Sequence, residues 1–158
     1  MKITSSGSFM LVSVAALALF TALSHMSCIV LGPECYRAQM APEALIELSQ
    51  SAPWRAALET TLVSLLFVAT AIFCLSGAGV IRKVPMLKPA IITISVICIF
   101  RGVATLPLSV LFPEQVTTFS IIAGFLWFLA GTFCITGYRL VSQESTERQN
   151  SVRHINTL

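Results

Sequence analysis

The 158-residue chain contains no aspartate: all seven of its acids are glutamate, and its only histidines are His25 and His154. That absence excludes a Ser-His-Asp triad and any aspartate-based metal or phosphoryl-transfer centre. Charge is scarce altogether, at 11% of residues, where soluble domains carry about a quarter. Against it stand 56% apolar residues and a mean hydropathy of +0.85. So few charges cannot cover so much apolar surface in water, so soluble secreted, disordered and nucleic-acid-binding classes are excluded. The five cysteines (Cys28, Cys35, Cys74, Cys98, Cys134) form no CxxC and no repeated spacing, which argues against metal-finger and thioredoxin-type chemistry. Phosphate-loop, HExxH, GxSxG and kinase signatures are missing as well.

What the chain does have is long apolar runs. A spanning helix needs about 20 mostly apolar residues, because the hydrocarbon core is about 30 Å thick. Four stretches qualify, at about 9–30, 57–80, 89–112 and 116–140. Backbone polar groups cannot stay unpaired in lipid, so each is expected to be a helix. The fold class that follows is an all-α membrane protein, a four-helix transmembrane bundle over residues 1–140. One long outer loop, 31–56, separates the first two spans, and a polar tail over 141–158 is expected to fray. Spans three and four are joined only by Pro113-Glu114-Gln115 and should form a tight antiparallel pair.

Lys2, Arg82, Lys83, Lys88, Arg139, Arg148 and Arg153 fall on one side of these spans, which is seven of the ten positive charges. By the positive-inside rule that side is cytoplasmic, so both termini lie inside and the long loop outside. Trp54 and Tyr138 sit at span ends, as an aromatic belt requires. Lys2, the run Phe9 to Leu23 and the small residues Ala22 and Ser24 also fit a cleavable signal peptide. Apolarity continuing through Met26, Ile29 and Val30 fits a retained helix better, and four spans are expected rather than three. Within the outer loop, Pro42-Glu43 reads as a helix start, with Ala41, Leu45 and Leu48 on one face.

Arg101 is the most informative residue. It stands about 16 Å into the third span, where a charge costs about 2.5–3.5 kcal/mol and should face the bundle and find partners. Glu59, near the outer end of the second span, and His25, late in the first, are the polar groups expected beside it. The three form a candidate ligand-binding or partner-binding cluster if Arg101 snorkels outward. A structural clamp between helices is the plainer role. Pro107 is expected to kink the span near it.

Cys28 and Cys35, on either side of Gly32-Pro33, are a candidate outer-face disulfide or thiol-redox pair. Cys74, Cys98 and Cys134 read as isolated packing residues within spans. His25, Met26, Cys28 and Cys35 are too sparse a set of soft ligands to predict a metal, and no cofactor is expected. Ser120, Gly124 and Gly131 in the fourth span, and Ala18 and Ala22 in the first, are spaced as helix-contact seams.

Two stretches carry a family likeness. One runs from Gly77 to Leu106, with its basic Pro-Met-Leu-Lys-Pro turn and its Phe-Arg-Gly; the other is His25 with the Gly-Pro-Glu-Cys-Tyr-Arg run of residues 32–37. Together they resemble a class of small, largely uncharacterised four-helix bacterial inner-membrane proteins. Cys35 stands where that class leads one to expect an aromatic residue. The resemblance implies topology and places Arg101 in a recurrent motif, and it implies no reaction.

The expected function is therefore non-enzymatic: a multi-pass protein of the bacterial inner membrane, set in the lipid bilayer and binding a protein partner or a second copy. One concrete version is an immunity protein that neutralises a membrane-acting toxin. The alternative is a small-ligand or quinone/thiol-redox membrane protein using the Arg101 cluster or Cys28/Cys35.

Overall fold

In the membrane-spanning runs polarity gives no amphipathic stripe, so side-chain size decides which face of each helix is buried. A computed structural model describes residues 6–39, 41–111 and 118–155. Lys2, the Pro113-Glu114-Gln115 connection and the side chain of His154 lie outside the described residues. Among these, the chain forms six helices: α1 (Ser6–Leu31), α2 (Pro33–Ala38), α3 (Glu43–Ser51), α4 (Pro53–Gly77), α5 (Leu87–Leu111) and α6 (Thr118–Ile155). Four of them, α1, α4, α5 and α6, are long and apolar enough to cross a membrane. Most of their buried positions are small: Ala15, Ala18 and Ala22 in α1, Ala56, Thr60, Ser64 and Ala71 in α4, Ser95 in α5, Ala130 in α6, with Leu11 and Val14 in α1 and Ile91 in α5 the larger exceptions. Their large side chains are exposed instead, including Phe20 at 70%, Leu66 at 69% and Phe100 at 73%. A water-soluble fold does the opposite. Small residues inside and large apolar residues outside are what helix packing in lipid selects.

The chain groups by contact into two units, 15–72 and 1–14 with 73–158. In the first, the expected outer loop is mostly helical. Gly32 ends α1 with φ +79° and ψ −161°, a backbone region open essentially to glycine alone. Pro33 then starts α2 with its φ already helical. The expected helix at Pro42-Glu43 is α3, its first turn closed by Leu45 and Ile46 amides donating to the Pro42 carbonyl (2.8 and 3.2 Å). That rotation buries Ile46 and leaves Ala41, Leu45 and Leu48 partly covered, Ala41 and Leu45 packing against the core that Ile46 joins.

In the second unit, α4 ends in a Schellman turn. The Val80 amide donates to Leu75 O (3.0 Å), the Gly79 amide donates to Ser76 O (3.1 Å), and Gly79 takes φ +74°. Ser76 then holds the connector, accepting from the Val84 amide (2.9 Å) and donating to the Arg82 carbonyl (3.2 Å). Helices α5 and α6 pack along Gly102, Gly124 and Gly131. The expected seam through Gly124 and Gly131 thus lies within the chain. Near the start of α1, Gly7 and Gly137 of α6 meet backbone to backbone: a Cβ on either would fall 2.7–2.8 Å from the other's carbonyl oxygen.

One local expectation differs. The polar tail does not fray at Val141, since α6 continues to Ile155. No glycine or proline follows Gly137, and Glu144 and Arg148 stand at the favourable i, i+4 spacing among good helix formers. Helix α5 carries Pro107 within it and ends at Leu111.

Candidate partner-binding site

The geometry around Arg101 starts from its neighbour. Gly102 is buried against α6, where a Cβ would meet Phe128 and the Gly124 carbonyl. Consecutive helical residues are about 100° apart, so pressing Gly102 into α6 turns Arg101 away from that seam. Arg101 is accordingly exposed. Among the described residues its guanidinium has neither an ion pair nor a hydrogen bond; Thr105 Oγ1 bonds only its carbonyl (3.2 Å). The partnered arginine expected from its depth is not what those residues show. Arg101 lies about 21 Å along α5 from Leu87 and about 15 Å from Leu111, far from either end of the helix.

His25 and Glu59 belong to the other unit. The ring of His25 meets the edge of Phe67 at 5.4 Å between centroids. Its Nδ1 lies 3.1 Å from the Thr21 carbonyl, which can only accept, so that nitrogen carries the proton. Glu59 is exposed on α4 beside the exposed Leu58 and Leu62. No ion pair joins His25 to Glu59 among the described residues; the one ion pair there, Glu34 with Arg37 at 2.9 Å, is exposed and contributes little.

Cys28 and Cys35 are joined in a disulfide that ties α2 to the end of α1. Three further contacts hold the same cap. Gln39 Nε2 donates to the Ser24 carbonyl (2.6 Å). Tyr36, Cys28 and Ile46 form a small buried core. Thr60 Oγ1 donates to the Ala56 carbonyl (2.8 Å), so the Tyr36 hydroxyl, 3.0 Å away, donates to Thr60. Nothing in the sequence points to this Tyr36–Thr60 pair, because the partners lie on different helices and each alone reads as ordinary.

The asymmetry of that pair makes a prediction. Tyr36→Phe leaves Thr60 its own acceptor and is expected to cost about 1 kcal/mol. Thr60→Val strands the buried tyrosine hydroxyl and is expected to cost more, about 1–3 kcal/mol. Thermal midpoints in detergent check the order; equal losses would mean that the hydroxyl has a second partner.

Two of the three remaining cysteines are not isolated as expected. Cys74 Sγ on α4 and Cys134 Sγ on α6 are 3.7 Å apart and buried, and Cys98 on α5 is buried too. Their separation along the chain carries no spacing signal. Among the described residues no group of three His, Cys or Glu side chains could hold a metal ion. With Cys28 and Cys35 bonded to each other, the soft-ligand set around His25 loses both its thiols. Comparison with protein-family models, with characterised proteins and with solved structures finds no match to this chain.

Proposed function

We propose that the protein is a non-enzymatic, multi-pass membrane protein that works by binding a protein partner within the membrane. The observation that carries this reading is Arg101: an exposed cation, far from both ends of a helix long enough to span, with no side-chain partner among the described residues. An arginine at that depth is costly unless something pairs with it. The disulfide-tied cap of α2 and α3 supports the reading as a second, outward contact, presenting Glu34, Glu43 and Glu47 on its exposed side. In this proposal the spans form a four-helix bundle in the bacterial inner membrane. Both termini are cytoplasmic, in keeping with seven of ten positive charges on one side. An immunity protein that blocks a membrane-acting toxin is the concrete version, with cells dying on its loss only when the toxin is present.

The test is affinity capture from cross-linked membranes, with bound proteins and lipids both read by mass spectrometry. One stoichiometric protein, a second copy included, is expected, and Arg101→Gln at equal membrane abundance is expected to lose it by tenfold or more, roughly the effect of unpairing a desolvated charge. Recovery of lipid or quinone alone would overturn the proposal and turn attention to Arg101 as a ligand site.

A further inference from the structure

Four helices converge at one end of the unit formed by residues 1–14 and 73–158. Their meeting point is Gly77, the last residue of α4. A Cβ there would lie 3.3 Å from Leu11 of α1, 3.6 Å from Tyr138 of α6 and 3.7 Å from Ile91 of α5. Gly131 of α6, seated against Ser95 and Ile99, sets the antiparallel register of α5 and α6. Followed for about 12 Å along both helices, that register brings Arg139 level with Lys88. Arg82 and Lys83 lie in the connector that joins α4 to α5 across the same end. All four cations are exposed, and none has an ion pair among the described residues. The nearest described acid in sequence, Glu144, stands about 8 Å farther along α6 than Arg139.

The connector is held in place. Ser76, 2% exposed, accepts from the Val84 amide (2.9 Å) and donates to the Arg82 carbonyl (3.2 Å), which fixes the backbone that carries Arg82 and Lys83. Its apolar side chains are exposed all the same, Met86 at 81% and Ile81 at 40%. Met86 is exposed at φ +56°, a left-handed backbone that residues other than glycine seldom adopt. Strain of that kind persists only where the surrounding structure enforces it, and it gathers at functional places. In water an exposed thioether gains nothing. At the boundary between headgroups and acyl chains it is solvated.

We propose that this end of the unit is a binding site for the headgroup of an anionic phospholipid. Arg82, Lys83, Lys88 and Arg139 pair with its phosphate oxygens, and Ile81 and Met86 lie against its acyl chains. Basic clusters at the ends of spanning helices attract anionic lipids, and a guanidinium can hold a phosphate through two parallel hydrogen bonds. A free phosphate would meet the cations and leave both apolar side chains in water; a lipid brings its own hydrocarbon to them. The same cations also orient the chain in the membrane. Orientation needs charge alone, however, and neither a fixed connector nor an exposed Met86. The site is separate from Arg101, which stands about 20 Å farther along α5 than Lys88.

The test uses the full chain in nanodiscs of phosphatidylcholine with a minority of phosphatidylglycerol, with retained lipids read by native mass spectrometry. Both faces of a nanodisc are open, so orientation does not enter. Wild-type protein should retain phosphatidylglycerol well above its share of the lipid. Each cation near a headgroup contributes about fivefold, so Arg82→Gln with Lys83→Gln should lose that enrichment by roughly tenfold or more. Lys88→Gln with Arg139→Gln should do the same from the two helices. Met86→Gln changes no charge and should still lower retention severalfold. Arg55→Gln with Arg148→Gln removes as much charge elsewhere and should leave retention at the wild-type level. Unchanged helical circular dichroism shows that each variant is folded.

Wild-type retention in the Arg82→Gln/Lys83→Gln and Lys88→Gln/Arg139→Gln proteins would leave these cations with orientation alone and overturn the proposal. Equal loss in all three double variants would overturn it too, since net charge would then suffice. Displacement of the retained lipid by millimolar inorganic phosphate would assign the site to a free anion instead. Arg101→Gln protein should retain the lipid as wild type does, whatever becomes of its protein partner. Loss of lipid in that variant alone would move the site to Arg101 and overturn its placement here.

Discussion

Gly102→Ala is expected to separate α5 from α6 and to remove most of the folded protein from the membrane. A Cβ there would stand 2.6 Å from Phe128 Cβ, 2.7 Å from the Gly124 carbonyl oxygen and 2.8 Å from the Phe128 amide nitrogen. Two of those three atoms are main chain, so no rotamer change makes room and the helix axes must move apart. Overpacking typically costs about 1–3 kcal/mol, and a backbone clash belongs at the upper end. Gly124→Ala provides the contrast. There the three atoms nearest the added Cβ all belong to the Thr105 side chain, Oγ1, Cβ and Cγ2. Thr105→Gly deletes all three atoms, so the double variant should recover most of what Gly124→Ala loses, short of about 1 kcal/mol for a new helical glycine. No side-chain substitution should rescue Gly102→Ala. Thermal aggregation midpoints of the four variants in mild detergent measure this, and an unchanged midpoint for Gly102→Ala would show that the seam is looser than described. The same substitution bears on function, because the seat of Gly102 directs Arg101 away from α6.

The long helices were legible in the sequence because length and apolarity alone select spanning segments. The start of α3 was legible because Pro42 and Glu43 suit the first turn of any helix. Which face of each span is buried was harder to read. In α1 and α4 the signal is size, with Ala15, Ala18 and Ala22 or Ala56, Thr60 and Ser64 turned in. A pattern of apolar against polar residues cannot detect that. Gly124 and Gly131 were found for this reason: a missing side chain is the extreme of smallness. The Cys74–Cys134 contact and the Tyr36–Thr60 bond were invisible, since each joins helices whose relative rotation no single-helix pattern sets. The polarity of the tail beyond Val141 predicts fraying, but glutamate, glutamine and arginine are good helix formers even when every face is exposed. For Arg101 the depth was legible and the absence of an internal partner was not. Depth follows from counting residues, but partners follow from the seating of Gly102.

Removing the Cys28–Cys35 disulfide should loosen the cap of α2 and α3 without unfolding the long helices. The bridge closes a loop of sequence separation 7 across the Gly32-Pro33 junction, and chain-entropy arguments give a loop that short about 2.5 kcal/mol. Local opening of α2 and α3 should then become roughly fiftyfold more frequent. Amide hydrogen exchange over 33–51 reads this directly, with exchange in α5 and α6 serving as the internal reference. Cys28→Ser and Cys35→Ser should match each other and the double variant, because either one breaks the same closure. Loosening rather than loss is expected, because Gln39 still donates to Ser24, Tyr36 still bonds Thr60, and Ile46 still fills the small core. Unchanged exchange would mean that those three contacts hold the cap unaided. The same variants separate the two surfaces proposed for binding. A partner that reads the cap should bind the disulfide-free protein more weakly, in proportion to the fraction of cap open. A partner held through the α5 face at Arg101 should bind it as well as wild type.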